Sequence, residues 1–585
     1  MPDLTSRVGI NISSVFLSAV LISLIGLGCA EDKPTEPAVS DPIWRLVPTS
    51  VALNDLWGQT INTVFAVGQD GTVFSYDGTF WTAFTSPVTH SLNGVWGISP
   101  DDFYVAGDSG TVVHWTGGDW TEVNLGTAVD LNDIAGVSAD EIYIVGDSGL
   151  ILTYDGSAWT PYYHTGHPDL YGVWASGWNS PVAVGEHGTA LERSGDSWLS
   201  LSPPSSRNLH AVEAESIPGY CVVGDSGTVL FYKDDNWTVA DPGTNADLRD
   251  VSVRVDGTID AVGTDGILAH YDGFSWNPLQ VAVGLDLEAI WGNWGTDGMV
   301  AGDRLPVIRL SSSGPTPVET PAEYDLYGVF PSSSNDVVAV GQRGVIRHFD
   351  GHKWSFVASG TTRNLLSVWG TSSENLYAVG DSGTIIHFDG LIWSAMDAGN
   401  SAGLTSVWGL SDSSIYAVGQ LGTILHCKGT EWSLMSLGWS VTLWGIGGFS
   451  DTSLLATGSG GVLLHGRGST WQVDTAGYTN PMLDVHAFTP NLALAVGANG
   501  SIFKHDGVSW TRMSSPTSSW LYGVWGFNAR KAFAVGIGGT ILHFDGFVWT
   551  EMTSPTGERL LSVWGTGFDD VWALGDGGTI VHFSR

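Results

Sequence analysis

Several residue patterns in this chain are of types that could do chemistry. Gly107-Asp108-Ser109-Gly110 recurs from Gly146, Gly224 and Gly380. A serine nucleophile needs one particular histidine and one carboxylate beside it. Four copies at one register therefore read as a turn motif, and no catalytic residue is assigned. Eight histidines, His114, His270, His348, His387, His426, His465, His543 and His582, share a second register. A metal needs its nitrogens about 2 Å from one point, while neighbouring sheets stack about 10 Å apart. The column is expected to pack between sheets with one ring nitrogen bonded locally, and neither a metal nor a cofactor is expected.

Tryptophan supplies two more columns. One comprises Trp57, Trp96, Trp174, Trp291, Trp369, Trp408, Trp525 and Trp564, with Trp444 displaced by three positions. Rings near a central channel could stack on sugars or peptides, so Trp369, Trp408, Trp525 and Trp564 are the candidate ligand-binding residues; core packing is the competing reading. Ala135, Glu213 and Ser252 interrupt the column in the first half, so an aromatic funnel is expected to be more complete in the second. The last candidate is Cys29, at the end of an apolar run from Val15 to Leu27 that has signal-peptide length.

What positions these columns is a strict repeat. The glycine closing the phrase Ala-Val-Gly and its variants falls at Gly68, Gly107, Gly146 and onward to Gly575, fourteen times at intervals of 39 residues. In one unit, Leu366–Gly370 reads as a short strand, Leu376–Val379 as a second and Thr384–Phe388 as a third, with a fourth beginning near Trp393. Gly380-Asp381-Ser382-Gly383 and Asp389-Gly390 are the turns. The third strand is apolar on both faces, with Ile385, Ile424 and Ile541 on one side and Phe388, Phe349 and Phe544 on the other. A sheet wet on one side would alternate, so this one is covered on both. The fold class is therefore all-β: a tandem β-propeller of fourteen four-stranded blades of 39 residues.

The phrase Val-Trp-Gly, Tyr-Ala-Val-Gly, Gly-Thr-Ile-x-His-Phe-Asp-Gly and a following Trp resembles secreted bacterial propellers of the neuraminidase-repeat and WD-like grouping. It departs from the WD signature and from the Asp-box. The resemblance implies a fold more than a function.

Thirteen residues beyond each ruler glycine stands a fourth-strand tryptophan, from Trp81 to Trp549, in twelve of fourteen repeats. The last repeat stops before it. The seventh has Pro315 there, inside Ser311-Ser312-Ser313-Gly314-Pro315-Thr316-Pro317, and an extra strand, Ile43-Trp44-Arg45-Leu46, precedes the first repeat. The economical reading is two seven-bladed rings, residues 42–312 and 313–585, each closed by a strand from its own beginning. The alternative is one fourteen-bladed ring in which Trp44 completes the last repeat.

Residues 1–28 read as a signal peptide. Leu24-Ile25-Gly26-Leu27-Gly28-Cys29 resembles the lipobox of bacterial lipoproteins, which implies lipidation of Cys29 and an anchored tether over residues 29–41. Ordinary cleavage and secretion is the alternative. The remaining cysteines, Cys221 and Cys427, are too few for a disulfide framework and read as buried thiols.

A formal net charge of −38, from 60 acidic and 22 basic residues, repels phosphate backbones and anionic headgroups. Nucleic acid is thereby disfavoured, and contact with a membrane is expected only through the lipidated N-terminus. The expectation is a monomeric, non-enzymatic binding or scaffolding lipoprotein of the bacterial cell envelope, at the outer membrane or cell surface. It would meet protein or glycan ligands through a propeller face. A glycosidase or lyase of sialidase-like type is the enzymatic alternative, disfavoured because arginine is scarce, and a structural envelope protein is the third.

Overall fold

The repeat unit folds as read, into fourteen sheets of four antiparallel strands. The computed structural model describes residues 43–47 and 51–584, apart from 178–179, 215–218, 283–284, 293–297, 303–306, 312–314, 319, 436–439 and 475–476. The signal peptide, Cys29 and the tether lie outside the described residues. In the ninth blade the strands are Leu365–Ser372, Asn375–Gly380, Ile385–Phe388 and Trp393–Met396, running from the centre of the ring outward. Leu376, Tyr377, Ala378 and Val379 are all buried. A strand apolar on both faces needs a neighbour on both, which stacked blades supply.

The ruler glycine has a steric cause. A Cβ on Gly68 would lie 2.1 Å from the carbonyl oxygen of Ala52, where the chain enters the innermost strand, and the same crossing is met at Gly107 and Gly380. The next residue's N–H donates to that oxygen, Gln69 to Ala52 at 3.0 Å and Asp381 to Asn364 at 3.0 Å. Only glycine lets the turn lie this close.

The fourth-strand tryptophan stacks on the aromatic that ends the third strand, as in Tyr76–Trp81 at 5.1 Å, Phe388–Trp393 at 5.3 Å and Phe544–Trp549 at 5.1 Å between ring centroids. Six of the eight column histidines have a locally bonded ring nitrogen. His114 and His582 bond Asp102 and Asp570 at 2.7 Å, His387 bonds Asn375 at 2.7 Å, and His114 stacks on Tyr104 at 3.8 Å. Cys221 and Cys427 are buried free thiols.

The blades form two rings of seven. The innermost strand of blade 7 (Leu287–Gly292) packs on that of blade 1 (Leu53–Thr60), and their cores merge through Phe74, Trp81, Met299 and Val307. Separately, the innermost strand of blade 14 (Leu560–Gly567) packs on that of blade 8 (Leu326–Ser333). A recurring bond traces the same circuit. In blades 2 to 6 and in blade 8 the central turn residue donates its N–H to an Asp or Asn 21 positions ahead, as in Ser109 to Asp130 and Arg343 to Asn364. In blade 14, Gly577 reaches back to Asp325 of blade 8 at 2.8 Å.

The closing strands are exchanged relative to expectation. Ile43–Val47 pairs with Ile580–Ser584 and completes blade 14 of the second ring, while Thr316–Val318 pairs with Val307–Leu310 and completes blade 7 of the first. A cut between residues 312 and 313 therefore does not follow sheet membership. The reason lies in the packing: Trp44 packs on Phe583 at 5.3 Å, as Trp393 does on Phe388 and Trp549 on Phe544, and is 6% exposed. Blade 14 has that aromatic and lacks its own tryptophan, whereas blade 7 has Leu310 in place of the aromatic and ends in a proline-containing strand.

Two outcomes are expected. Trp393→Ala should lower stability by about 3 to 5 kcal/mol in chemical denaturation, the usual range for emptying a large buried aromatic site; a loss under about 1 kcal/mol would contradict this packing. Residues 51–320 should give a monomer with a cooperative melt. Residues 320–585 alone should melt lower and regain stability when a peptide of residues 42–48 is added, so an unresponsive, fully stable fragment would refute the exchanged closure.

Candidate functional site

The residue after the first leucine of each innermost strand faces the channel mouth, and the two rings differ sharply there. In the first ring the position holds Asn54, Asn93, Asn132, Tyr171, His210, Arg249 and Glu288, and in the second Tyr327, Leu366, Thr405, Trp444, Leu483, Tyr522 and Leu561. The first ring opens into a cavity of about 580 Å³ lined by this polar crown, with a second of about 400 Å³ on the opposite side of the channel waist. The second ring's channel cavity is about 150 Å³ and is lined in part by Trp408, Trp444, Trp564 and His486.

The crown is held by bonds that pass from blade to blade. Asn54 donates to the Leu92 carbonyl at 2.9 Å and to Asn93 Oδ1 at 3.2 Å. Asn93 donates to Asp108 at 2.8 Å and to the Leu131 carbonyl at 2.9 Å, and Asn132 repeats this with Asp147 and Leu170. His210 Nε2 lies 2.6 Å from Asp225 and 3.2 Å from Arg249 Nη1. Burial holds the His210 imidazole below its ordinary pKa, opposed by Asp225, and burial first and nearby carboxylates second push Tyr171 up to about 12. Arg249 Nε is buried with no hydrogen-bond partner among the described residues.

Below the crown, carboxylates bridge adjacent innermost strands. Asp55 accepts from Leu56 N at 2.7 Å and, through its other oxygen, from Val95 N of the next blade at 2.7 Å. Asp133 does the same with Ile134 and Val173, and Asp250 with Val251 and Ile290. Neighbouring innermost strands share no ladder, so these side chains supply the missing acceptors. In the second ring Asp484 plays this part, and Ser367 and Ser406 serve as shorter versions.

The four candidate tryptophans belong mainly to the packing between blades. Trp369 and Trp525 are buried, and a Cβ on Gly409 or Gly565 of the following blade would meet their rings at 2.6 to 2.9 Å. Trp408 lies against Gly448 in the same way while also reaching the second ring's channel, and Trp564 lines that channel too. Of the second ring's aromatic column, Trp408, Trp564 and His486 line the channel cavity, while Trp369 and Trp525 pack between blades. The polar crown has no single conspicuous residue type to mark it, unlike the Trp column three positions further on. The signal was present in the run Asn, Asn, Asn, Tyr, His, Arg, Glu at 39-residue spacing.

No family model matches the sequence, and no curated protein matches it. Among solved structures the chain is similar to PorZ, a bacterial surface component of the type-IX secretion system of Porphyromonas gingivalis, at 12% identity over 93% of this chain and 87% of that one, with a TM-score of 0.42. It is also similar to the extracellular domain of BT4673 from B. thetaiotaomicron, at 13% identity over 93% and 82% of the two chains, TM-score 0.39. A third likeness, to YCF48 bound to D1 peptide, has 16% identity over 45% of this chain and 94% of that one, TM-score 0.40. None of these likenesses carries a ligand or a residue role to this chain.

Burial sets the protonation of the bridging acids. It pushes Asp133 up to about 7 and Asp250 to about 6, and it raises Asp55 well above the usual range with help from the charges on Asp133 and Asp250. The folded ring thus holds these protons more tightly than the unfolded chain, whose aspartates titrate near about 4. Their contribution to stability is complete below that value and is lost as pH rises through the folded pKa values. The melting temperature should fall between about pH 5 and about pH 8, and Asp133→Asn with Asp250→Asn should flatten that slope in calorimetry. A slope between about pH 5 and about pH 8 that the double variant left unchanged would mean that these acids are ionised across that range and contribute nothing to it.

Proposed function

We propose that this chain is a non-enzymatic binding or scaffolding protein that takes a protein segment or a glycan at the mouth of its first ring. The observation that carries the reading is the contrast between two rings built from one repeat: the first has a crown of polar side chains around a cavity of about 580 Å³, while the second holds aromatic or aliphatic residues at six of the same seven positions and a cavity of about 150 Å³. A mouth rich in amides, one guanidinium and several carboxylates fits a ligand that presents hydroxyls, amides or cations. The bridging carboxylates have both oxygens occupied by strand N–H groups, which favours a structural duty for them over acid–base chemistry. An extracytoplasmic, lipid-anchored setting through Cys29 belongs to the same proposal, and it rests on the apolar run and lipobox-like hexapeptide at the N-terminus.

Glycan and peptide arrays probed with the protein lacking residues 1–41 test this directly. Binding should weaken by about tenfold or more in Arg249→Ala or Asn93→Ala, since each removes charge-assisted or amide hydrogen bonds. It should persist in Trp444→Ala of the second ring. Turnover of an array glycan, or hits that ignore both first-ring variants, would refute the proposal.

A further inference from the structure

The two rings meet along one edge of each, blade 1 against blade 8, within one compact unit spanning Pro42–Ser584. Tyr324, buried, donates its hydroxyl to the Trp81 carbonyl at 2.8 Å, and Ala358 N donates to Thr85 Oγ1 at 2.7 Å. Lys353 pairs with Asp70 at 3.1 Å and donates to the Thr89 carbonyl at 2.7 Å. Phe74 of the first ring meets Phe356 of the second edge-on at 5.0 Å. Beside these contacts the rings enclose a cleft of about 520 Å³, walled by both rings.

The chemistry of that wall runs against the rest of the molecule. The chain carries 60 acidic and 22 basic residues, yet the cleft is lined by Arg343 and Arg363 and by no carboxylate. Neither guanidinium has a carboxylate partner among the described residues. Arg343 lies over the Phe80 ring of the first ring at 3.4 Å, and Arg363 spends one N–H on the Ser382 carbonyl at 3.1 Å, leaving most donors of both unspent. Acids on the elements that carry the cleft have other partners: Asp70 pairs with Lys353, Asp77 accepts from the N–H groups of Thr79 and Phe80, and Glu323 accepts from Thr320 N. Hydroxyls of Ser75, Thr82 and Ser359 complete the wall.

Arg343 also occupies a place that repels arginine. It is the central residue of the turn between the second and third strands, at φ 54°, where other blades carry Ser109, Asp265, Asn499 or Gly538. A long side chain in the left-handed region costs free energy. Stacking on Phe80 offsets part of that cost, while the uncompensated charge remains directed at the cleft.

We propose that the inter-ring cleft is a binding site for an oxyanion, a carboxylate, sulfate or phosphate group, gripped by Arg343 and Arg363 on a carrier whose hydroxyls meet Ser75, Thr82 and Ser359. Guanidinium pairs select such groups by bidentate hydrogen bonding. The site is independent of the first-ring mouth, and its occupant would tie the two rings together.

Isothermal titration of the protein lacking residues 1–41 with trigalacturonate, inorganic sulfate, inorganic phosphate and neutral maltotriose tests the site and separates the sources of the anion. At least one anionic probe should bind with one-to-one stoichiometry, and excess maltotriose should not displace it. Arg363→Gln should weaken that binding by about tenfold or more without moving the melting temperature. Arg343→Lys, which keeps a cation over Phe80 but loses the planar fork, should weaken it as well, and the exposed Arg467→Gln should leave it unchanged. Absence of binding by all three anions at millimolar concentration, or equal binding to Arg363→Gln, would overturn the assignment. Because the first-ring mouth is untouched by these variants, its reading stands or falls separately.

Discussion

Everything in this molecule depends on one backbone crossing repeated in each blade. The carbonyl just before an innermost strand lies against the ruler glycine, accepts the N–H of the residue after it, and leaves no room for a side chain. The crossing ties the start of a blade to the turn between its second and third strands. In blades 2 to 6 and in blade 8 the polar bond 21 positions ahead then ties that turn to the next blade. An insertion between these two anchors would break one of them. The uniform 39-residue spacing is thus a packing requirement, and it leaves variation to the side chains that face the channel, the hairpin tips and the ring edges.

The same frame explains why two rings from one repeat behave differently. Five innermost-strand tryptophans lie on a glycine of the neighbouring blade, as Trp369 does on Gly409 and Trp525 on Gly565. Channel character is decided three positions earlier. Polar residues there, together with the aspartates that bridge strands, keep the first ring's centre open, whereas Tyr327, Leu366, Trp444 and Leu483 help fill the second. Polar groups near an axis must satisfy one another across blades, and the Asn54–Asn93–Asp108 chain shows that they do.

How much of this was legible in the sequence follows from where the information lies. The blade and its strands repeat fourteenfold, the fourth-strand tryptophan of which Trp393 is one twelvefold and the histidine column of His387 eightfold, and repetition makes a local rule visible. Ring closure was half legible. Trp44 marks a fourth strand, but which blade it joins depends on Phe583 lacking a stacking partner, a contact across nearly the whole chain. The site was the least legible part. Aromatic residues drew the eye to Trp369 and Trp525, which bury, while the crown from Asn54 to Glu288 consists of individually unremarkable polar residues. Its meaning arises only when seven strands are brought around one axis. The cleft holding Arg343 and Arg363 has no sequence signature at all, since it exists only where two rings touch.

The strand Ile43–Val47 pairs with Ile580–Ser584 across roughly 530 residues of intervening chain. During synthesis the earlier partner emerges long before the later one, so Trp44 and an unpaired strand edge must wait while thirteen blades assemble. The second ring can lock only when the final strand arrives. The pairing therefore acts as a completeness check: a chain that stops early keeps an open blade and a stranded aromatic segment, the features that surveillance by chaperones and proteases recognises. In the finished molecule the first and last described strands lie side by side, and the path from residue 47 back to the first ring makes a second covalent crossing between the rings beside the one near residue 320. Two such crossings at one junction hinder the rings from swivelling about a single linker, so the cleft between them keeps its shape.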